Sequence, residues 1–126
     1  MDIKRTETEN NAKLFIRDGK MSKEQILVVD DSLSTREIEK SILELENFNV
    51  SLAVDGIDAL EKLKEQYFHL IITDVQMPRM DGITLIENIR RQEKFRNTPV
   101  IVVSSNDRRE LDESVGKAGG NYIISK

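Results

Sequence analysis

The chain has 126 residues, 38% hydrophobic and 33% charged, which suffices for one domain with a real core and is too short for two ordinary ones. Nineteen basic against 23 acidic residues leave a formal charge of −4, and no basic stripe is present to neutralise phosphates, which argues against direct nucleic-acid binding. No stretch is apolar enough to insert in a bilayer, the N-terminus has no signal-peptide core, and the absence of Cys excludes a disulfide framework, so a cytoplasmic protein is expected.

Residues 1–22 are polar and charged apart from Leu14-Phe15-Ile16, and read as an extension or linker ahead of a domain at 23–126. Ile26-Leu27-Val28-Val29 is a continuous apolar run, the pattern of a buried strand, and it ends in Asp30-Asp31. Ser34 and Glu37 have capping-box spacing, which predicts a helix starting there with Ile38, Ile42 and Leu45 as its core stripe. A second strand is expected over Val50 to Val54. Asp55 then caps a helix whose apolar face is Ile57, Leu60 and Leu63. The third strand, Leu70-Ile71-Ile72, ends on Asp74, and Met77-Pro78 and Asp81-Gly82 prevent it from continuing. Asp81 is placed to cap a helix from Gly82 to Arg91 with Ile83, Ile86 and Ile89 inward. Pro99 opens a fourth strand, Val100 to Val103, followed by Ser104-Ser105. Asp107 and Glu110 repeat the capping-box spacing before a helix carrying Leu111, Val115 and Ala118, which Gly119-Gly120 ends. Tyr122 to Ser125 is the fifth strand, with Lys126 behind it. Arg90-Arg91 and Arg108-Arg109 read as solvated helix surface.

Strands alternating with helices of this length predict an α/β fold, a five-stranded doubly wound parallel sheet with right-handed crossovers. A fifth helix is lacking in this chain, so one face of the edge strand is expected to lie bare. Either Leu14-Phe15-Ile16 or a second chain would cover it, which makes the edge strand a candidate dimer contact.

In a parallel sheet the carboxyl ends of all strands lie on one edge, where ligands bind in open α/β folds. Asp30, Asp31, Asp74, Ser104 and Lys126 therefore converge. Clustered carboxylates persist together only if a cation compensates or some of them take up protons. Oxygen-only ligands point to Mg²⁺, usually held by one or two carboxylates with waters retained. Three carboxylates, one ammonium and one divalent cation balance in charge. Turning Asp74 into an aspartyl phosphate adds about one further negative charge, which Mg²⁺, Lys126 and a Ser hydroxyl can share. Covalent phosphorylation of a carboxylate is thus the chemistry this pattern suits.

Asp30-Asp31, Asp74 followed by MPRMDG, Ser104 thirty residues after Asp74 and Lys126 fifty-two after it together resemble the receiver domain of two-component response regulators. The resemblance covers about Gln25 to Lys126 and implies a flavodoxin-like strand order, 2-1-3-4-5. It implies that Asp74 is the phosphoacceptor, taking its phosphoryl group from a histidine kinase. Mg²⁺ would be bound by Asp31, Asp30, Asp74 and the backbone carbonyl of Gln76. Ser104 would be the switch hydroxyl, and Lys126 would pair with a phosphoryl oxygen. Gln76 and Asn106 stand where the family tunes the loss of phosphate. Phosphorylation would then shift a two-state surface that a downstream chemotaxis or signalling protein reads, with no enzyme activity beyond the chain's own phosphorylation and autodephosphorylation. The stretches QILVVDDSLSTREIEKSILE and TDVQMPRMDG look most like receivers of chemotaxis hybrid histidine kinases or chemotaxis coupling proteins. One departure concerns the aromatic switch position three residues before the Lys, where this chain has Ile123, with Tyr122 one earlier. A one-residue slip reverses the side-chain face, so either a bulge realigns the strand or the switch is altered.

Two other readings are weaker. A pseudo-receiver that binds partners without phosphorylation conflicts with the complete acid set, and an Mg²⁺-dependent aspartate-nucleophile phosphohydrolase typically needs a second Asp where Gln76 stands. His69, the only His, precedes a buried strand and reads as structural.

Overall fold

Each apolar run of the sequence becomes one strand of a parallel sheet in the computed structural model, which describes residues 16–17, 20–21, 24–105 and 108–125. The strands are β1 (Gln25–Val29), β2 (Asn49–Ala53), β3 (Leu70–Asp74), β4 (Val100–Ser104) and β5 (Tyr122–Ser125), in the order β2-β1-β3-β4-β5. Between them run α1 (Leu33–Leu45), α2 (Gly56–Glu65), α3 (Gly82–Arg91) and α4 (Arg108–Ala118), with a short 3₁₀ turn at Glu93–Phe95. This is the flavodoxin-like order that the resemblance implies. A separate two-residue ribbon pairs Ile16–Arg17 with Lys20–Met21, while Leu14 and Phe15 lie outside the described residues. No described helix is long and apolar enough to cross a membrane.

The two faces of the sheet are covered unequally. On one face Leu27, Val29, Ile71, Val100 and Val102 pack with Leu63 of α2, Ile86 and Ile89 of α3 and Val115 of α4. Burying one such aliphatic side chain is worth about 1.5–3 kcal/mol, so this face carries most of the apolar stabilisation. On the other face Ile26 and Val28 meet Leu43 of α1, with Phe48, Val50, Leu52, Leu70 and Ile72 partly buried beside them. In register with Ile72 come Ile101 and then Tyr122, and Val103 pairs with Ile124. Tyr122 and Ile124 are 65% and 41% exposed, so the edge strand is bare on this face, as expected.

The first helix departs from expectation in two ways. Its cap is Ser32, whose hydroxyl accepts the Thr35 amide, and not Ser34. The stripe Ile38, Ile42 and Leu45 points outward, between 57% and 85% exposed, while Arg36 and Leu43 face in. Periodicity gives the width of an apolar stripe but not its rotation about the helix axis. Here Leu43 is the side chain packed on Ile26 and Val28, and Ser32 and Asn47 close the two ends of the helix. Asn47 is left-handed (φ 74°) and closes α1 as its amide reaches Glu44 O and the Phe48 amide reaches Leu43 O. Asp55 and Asp81 cap α2 and α3 as their positions suggest, and Gly119 (φ 104°) ends α4.

Arg90 is a second correction, because it is not solvated surface. Its guanidinium donates to the carbonyls of Phe95, Thr98 and Gly119 and to Asn121 Oδ1, at 2.7 to 2.9 Å. Asn121 Oδ1 also accepts the Val100 amide, so one side chain ties α3 to the starts of β4 and β5. Burial lowers the Arg90 pKa, but its hydrogen bonds keep the cation satisfied. Arg90→Met removes the guanidinium donor from the Thr98 and Gly119 carbonyls and from Phe95 O, which keeps only the Thr98 amide, and is expected to destabilise the fold by about 2–3 kcal/mol in urea titration. A change within the noise of surface substitutions would contradict this role.

Candidate functional site

The site begins with register. Val29 of β1 pairs with Thr73 of β3, so the residues that follow, Asp30 and Asp74, leave the sheet side by side. One carboxylate oxygen from each of Asp30, Asp31 and Asp74 falls within 4.8 Å of the others, with Asp30 and Asp74 buried and Asp31 exposed. The expected acid cluster is therefore present. Its donors are all oxygens, without His or Cys, which fits a hard divalent ion held with waters on its open side.

Asp30 and Asp74 are held by local bonds. The Asp30 amide extends the β1–β2 ladder to Ala53 O (3.1 Å), its Oδ1 accepts the Ser32 amide (2.8 Å), and its carbonyl accepts Arg36 Nη1 (2.6 Å). Asp74 Oδ1 accepts the Val75 amide at 2.7 Å, and the Asp74 carbonyl accepts the Thr73 hydroxyl at 2.9 Å. Ser104 is buried and closes β4 beside Asp74, because Asp74 pairs with its neighbour Val103. Lys126 and Asn106 lie outside the described residues.

The loop from Val75 to Gly82 folds back tightly over the end of β3. The Gly82 amide donates to Val75 O at 2.8 Å, and a Cβ at Gly82 would stand 2.3 Å from Asp74 O. Only glycine allows that approach. Gln76 is exposed at the start of this loop, two residues past Asp74. Midway along it, Arg79 adopts a left-handed conformation (φ 67°) and its guanidinium pairs with Asp55, Nε lying 2.8 Å from Oδ2. Met80 covers Gly56, where a Cβ would meet it at 2.8 Å. Both contacts anchor the loop to the start of α2.

Burial by itself would raise the Asp55 carboxyl. The Asp58 amide, the hydrogen bond and charge of Arg79, and the Ile57 amide together outweigh it and hold the carboxyl below its ordinary value. Sequence patterns gave Asp55 only the cap and left Arg79 unassigned. The sole hint at Arg79 is a long cation in a turn rich in Met, Pro and Gly.

At β5 the pairing with β4 is continuous from Tyr122 to Ser125, with no bulge to realign it. Ile123 packs against the main core cluster and Tyr122 lies on the opposite, open face. The position three before Lys126 thus carries an aliphatic side chain. His69 is structural: its Nδ1 accepts the Gln25 amide at 2.9 Å while its own amide donates to Gln25 O.

An open parallel sheet with carboxylates gathered at the ends of neighbouring strands defines an α/β protein with an acidic site at its carboxyl edge. Residues 26–126 match the response regulator receiver domain family, and the chain belongs to it. Chemotaxis protein CheY-3 of Vibrio cholerae is 39% identical over 103 residues, covering 81% of this chain and 79% of that protein. The structure of Vibrio cholerae chemotaxis protein CheY4 superposes with a TM-score of 0.81 at 30% identity, covering 83% of this chain and 88% of that one. The response regulator TrrA of Thermotoga maritima, solved in complex with Mg²⁺-BeF, has a TM-score of 0.73 at 28% identity, over 82% of this chain and 86% of that one. Receiver domains of this type act as signalling switches rather than as conventional enzymes.

Two predictions follow from the loop. Gly82→Ala forces backbone apart at Asp74 and is expected to cost about 1–3 kcal/mol, read from chemical denaturation; full retention of stability would contradict the close approach. For Asp55, the unfolded chain takes up its proton at higher pH than the folded one. Its stabilising contribution is therefore complete above the ordinary carboxylate value and is lost as pH falls through the lowered folded value. The difference in Tm between the parent and Asp55→Asn should stay constant at neutral pH and shrink only in strong acid. A difference that shrinks already near neutrality would exclude this assignment.

Proposed function

We propose that this chain is a phosphorylation-dependent switch that accepts a phosphoryl group from a histidine kinase onto Asp74 with Mg²⁺. The observation that carries the reading is the convergence of Asp30, Asp31 and Asp74 within 4.8 Å, at the end of a buried strand beside Ser104. A carboxylate oxygen of Asp74 forms the new bond to phosphorus as the P–N bond of the donor phosphohistidine breaks. The electron pair of that bond stays with the imidazole nitrogen. The Val75 amide orients the Asp74 carboxylate for attack, and the tight Gly82 approach keeps its backbone from retreating.

Asp30, Asp31, Asp74 and the Gln76 carbonyl are the groups that would hold Mg²⁺. When bound, the ion neutralises charge on the phosphoryl oxygens. Ser104 then donates its hydroxyl to one phosphoryl oxygen, and Lys126 pairs with another. These contacts favour one state of the surface, and a downstream chemotaxis protein reads it. What supports the chemotaxis assignment is likeness to CheY-3, and what supports the metal is the oxygen-only donor set together with the Mg²⁺-BeF complex of TrrA. Gln76 and Asn106 stand at the sequence positions where the family tunes the loss of the phosphoryl group, and Ile123 in place of an aromatic alters how the switched state is reported. The cytoplasm, where such kinases present their phosphohistidine, is the compartment that fits.

Incubation with acetyl phosphate, followed by intact and peptide mass spectrometry, tests the reading. A labile adduct on Asp74 that requires Mg²⁺ is expected, while Asp74→Asn remains folded and takes none. An adduct at another residue, or none, would overturn it. Saturating Mg²⁺ should also raise the Tm, since a hundredfold excess over Kd stabilises the native state by about 2.7 kcal/mol. An unchanged Tm would remove the metal from the proposal.

A further inference from the structure

We propose that Arg36 is a positioning residue for the cation site, setting the Asp30–Asp31 peptide and through it the place of the Asp31 carboxylate. The inference rests on the reading that the three acids hold Mg²⁺. Arg36 sits in the first turn of α1 and is only 9% exposed, although it is a full cation. Its Nη1 lies 2.6 Å from Asp30 O, the first carbonyl beyond the β1 ladder. Asp30 is thereby held on three sides: amide to Ala53 O, Oδ1 to the Ser32 amide, carbonyl to Arg36. The Asp30 carbonyl belongs to the same rigid peptide plane as the Asp31 amide. Rotation of that plane would swing Asp31, the exposed member of the cluster, away from Asp30 and Asp74.

Arg36 can influence a cation in two opposed ways. As a positive charge near the acids it repels Mg²⁺, and its removal would tighten binding. As an anchor of the turn it preorganises the ligands, and its removal would weaken binding. Outer-shell partners of metal ligands typically account for a 10–100-fold change in affinity when lost, whereas charge effects here are softened by the exposure of Asp31 to solvent. Positioning therefore dominates, and the sign of the change distinguishes the two roles.

The test is Mg²⁺ titration by calorimetry of the full chain, the parent beside Arg36→Met and Arg36→Lys at fixed ionic strength. Amide exchange at Ser32 is followed in metal-free protein. Arg36→Met keeps the apolar stem but removes the guanidinium donor from the Asp30 carbonyl, which lowers stability as well as loosening the turn. It is expected to bind Mg²⁺ about tenfold more weakly, with a lowered metal-free Tm and faster exchange at Ser32. Arg36→Lys keeps the charge but not the planar fork, and a loss of about threefold is expected. If Arg36→Met fails to fold, the lysine variant decides alone: a weakened site supports positioning, and parental affinity overturns it. Equal or tighter binding by folded Arg36→Met also overturns it. Absence of Mg²⁺ binding by the parent chain would bring down the metal reading and this inference together, whereas parental binding with an unaffected Arg36→Met rejects this inference alone.

Discussion

Parallel pairing of β1 with β3 in one fixed register is the constraint on which the rest depends. Val29 opposite Thr73 obliges Asp30 and Asp74 to emerge together, and Asp31 follows. Like charges so close repel, and a fold stabilised overall by only about 5–15 kcal/mol does not assemble them by default. The repulsion is contained by what lies behind it. The sheet core fixes the strands, and hydrogen bonds from Ser32, Arg36 and Val75 fix the acids. A slip of one residue would part Asp30 from Asp74 and exchange the side chains that Leu27 and Val29 on one face and Ile26 and Val28 on the other present to their helices, so the packing of both faces also enforces the acid cluster.

Beyond the sheet, the site is held by loops that tolerate little change. Gly82 lets the start of α3 touch the carbonyl of Asp74, and Arg79 ties the intervening loop to Asp55 at the start of α2. The proposed phosphoacceptor is thus linked to two helices through backbone contact and one ion pair. A charge added at Asp74 would act on a segment whose alternatives are few, which suits a two-state response more than a graded one.

Much of this was legible in the sequence because strand ends and helix caps are local. Apolar runs closed by Asp30-Asp31, by Asp74 and by Ser104 gave both the strands and the converging acids, and Asp55 and Asp81 announced two helices. The rotation of α1 was not legible. Ile38, Ile42 and Leu45 form a regular stripe, yet Leu43 is the side chain that meets the sheet. Nor could the sequence reveal Arg90, whose partners Gly119 and Asn121 lie far along the chain, or Arg36 and Arg79, whose roles depend on where backbone carbonyls and a buried carboxylate end up. Long cations carry no periodic signature, so their anchoring becomes visible only in three dimensions.

The left-handed backbone of Arg79 places opposed demands on one position. Its φ of 67° is most easily met by glycine or asparagine, while Asp55 requires a cation with Arg reach. Glycine would relax the backbone and leave Met80 as the loop's remaining contact with α2; asparagine would keep the conformation and abandon the charge. Residue choice at this position therefore trades ease of the backbone against one of the two anchors of the loop to α2, independently of the acids themselves.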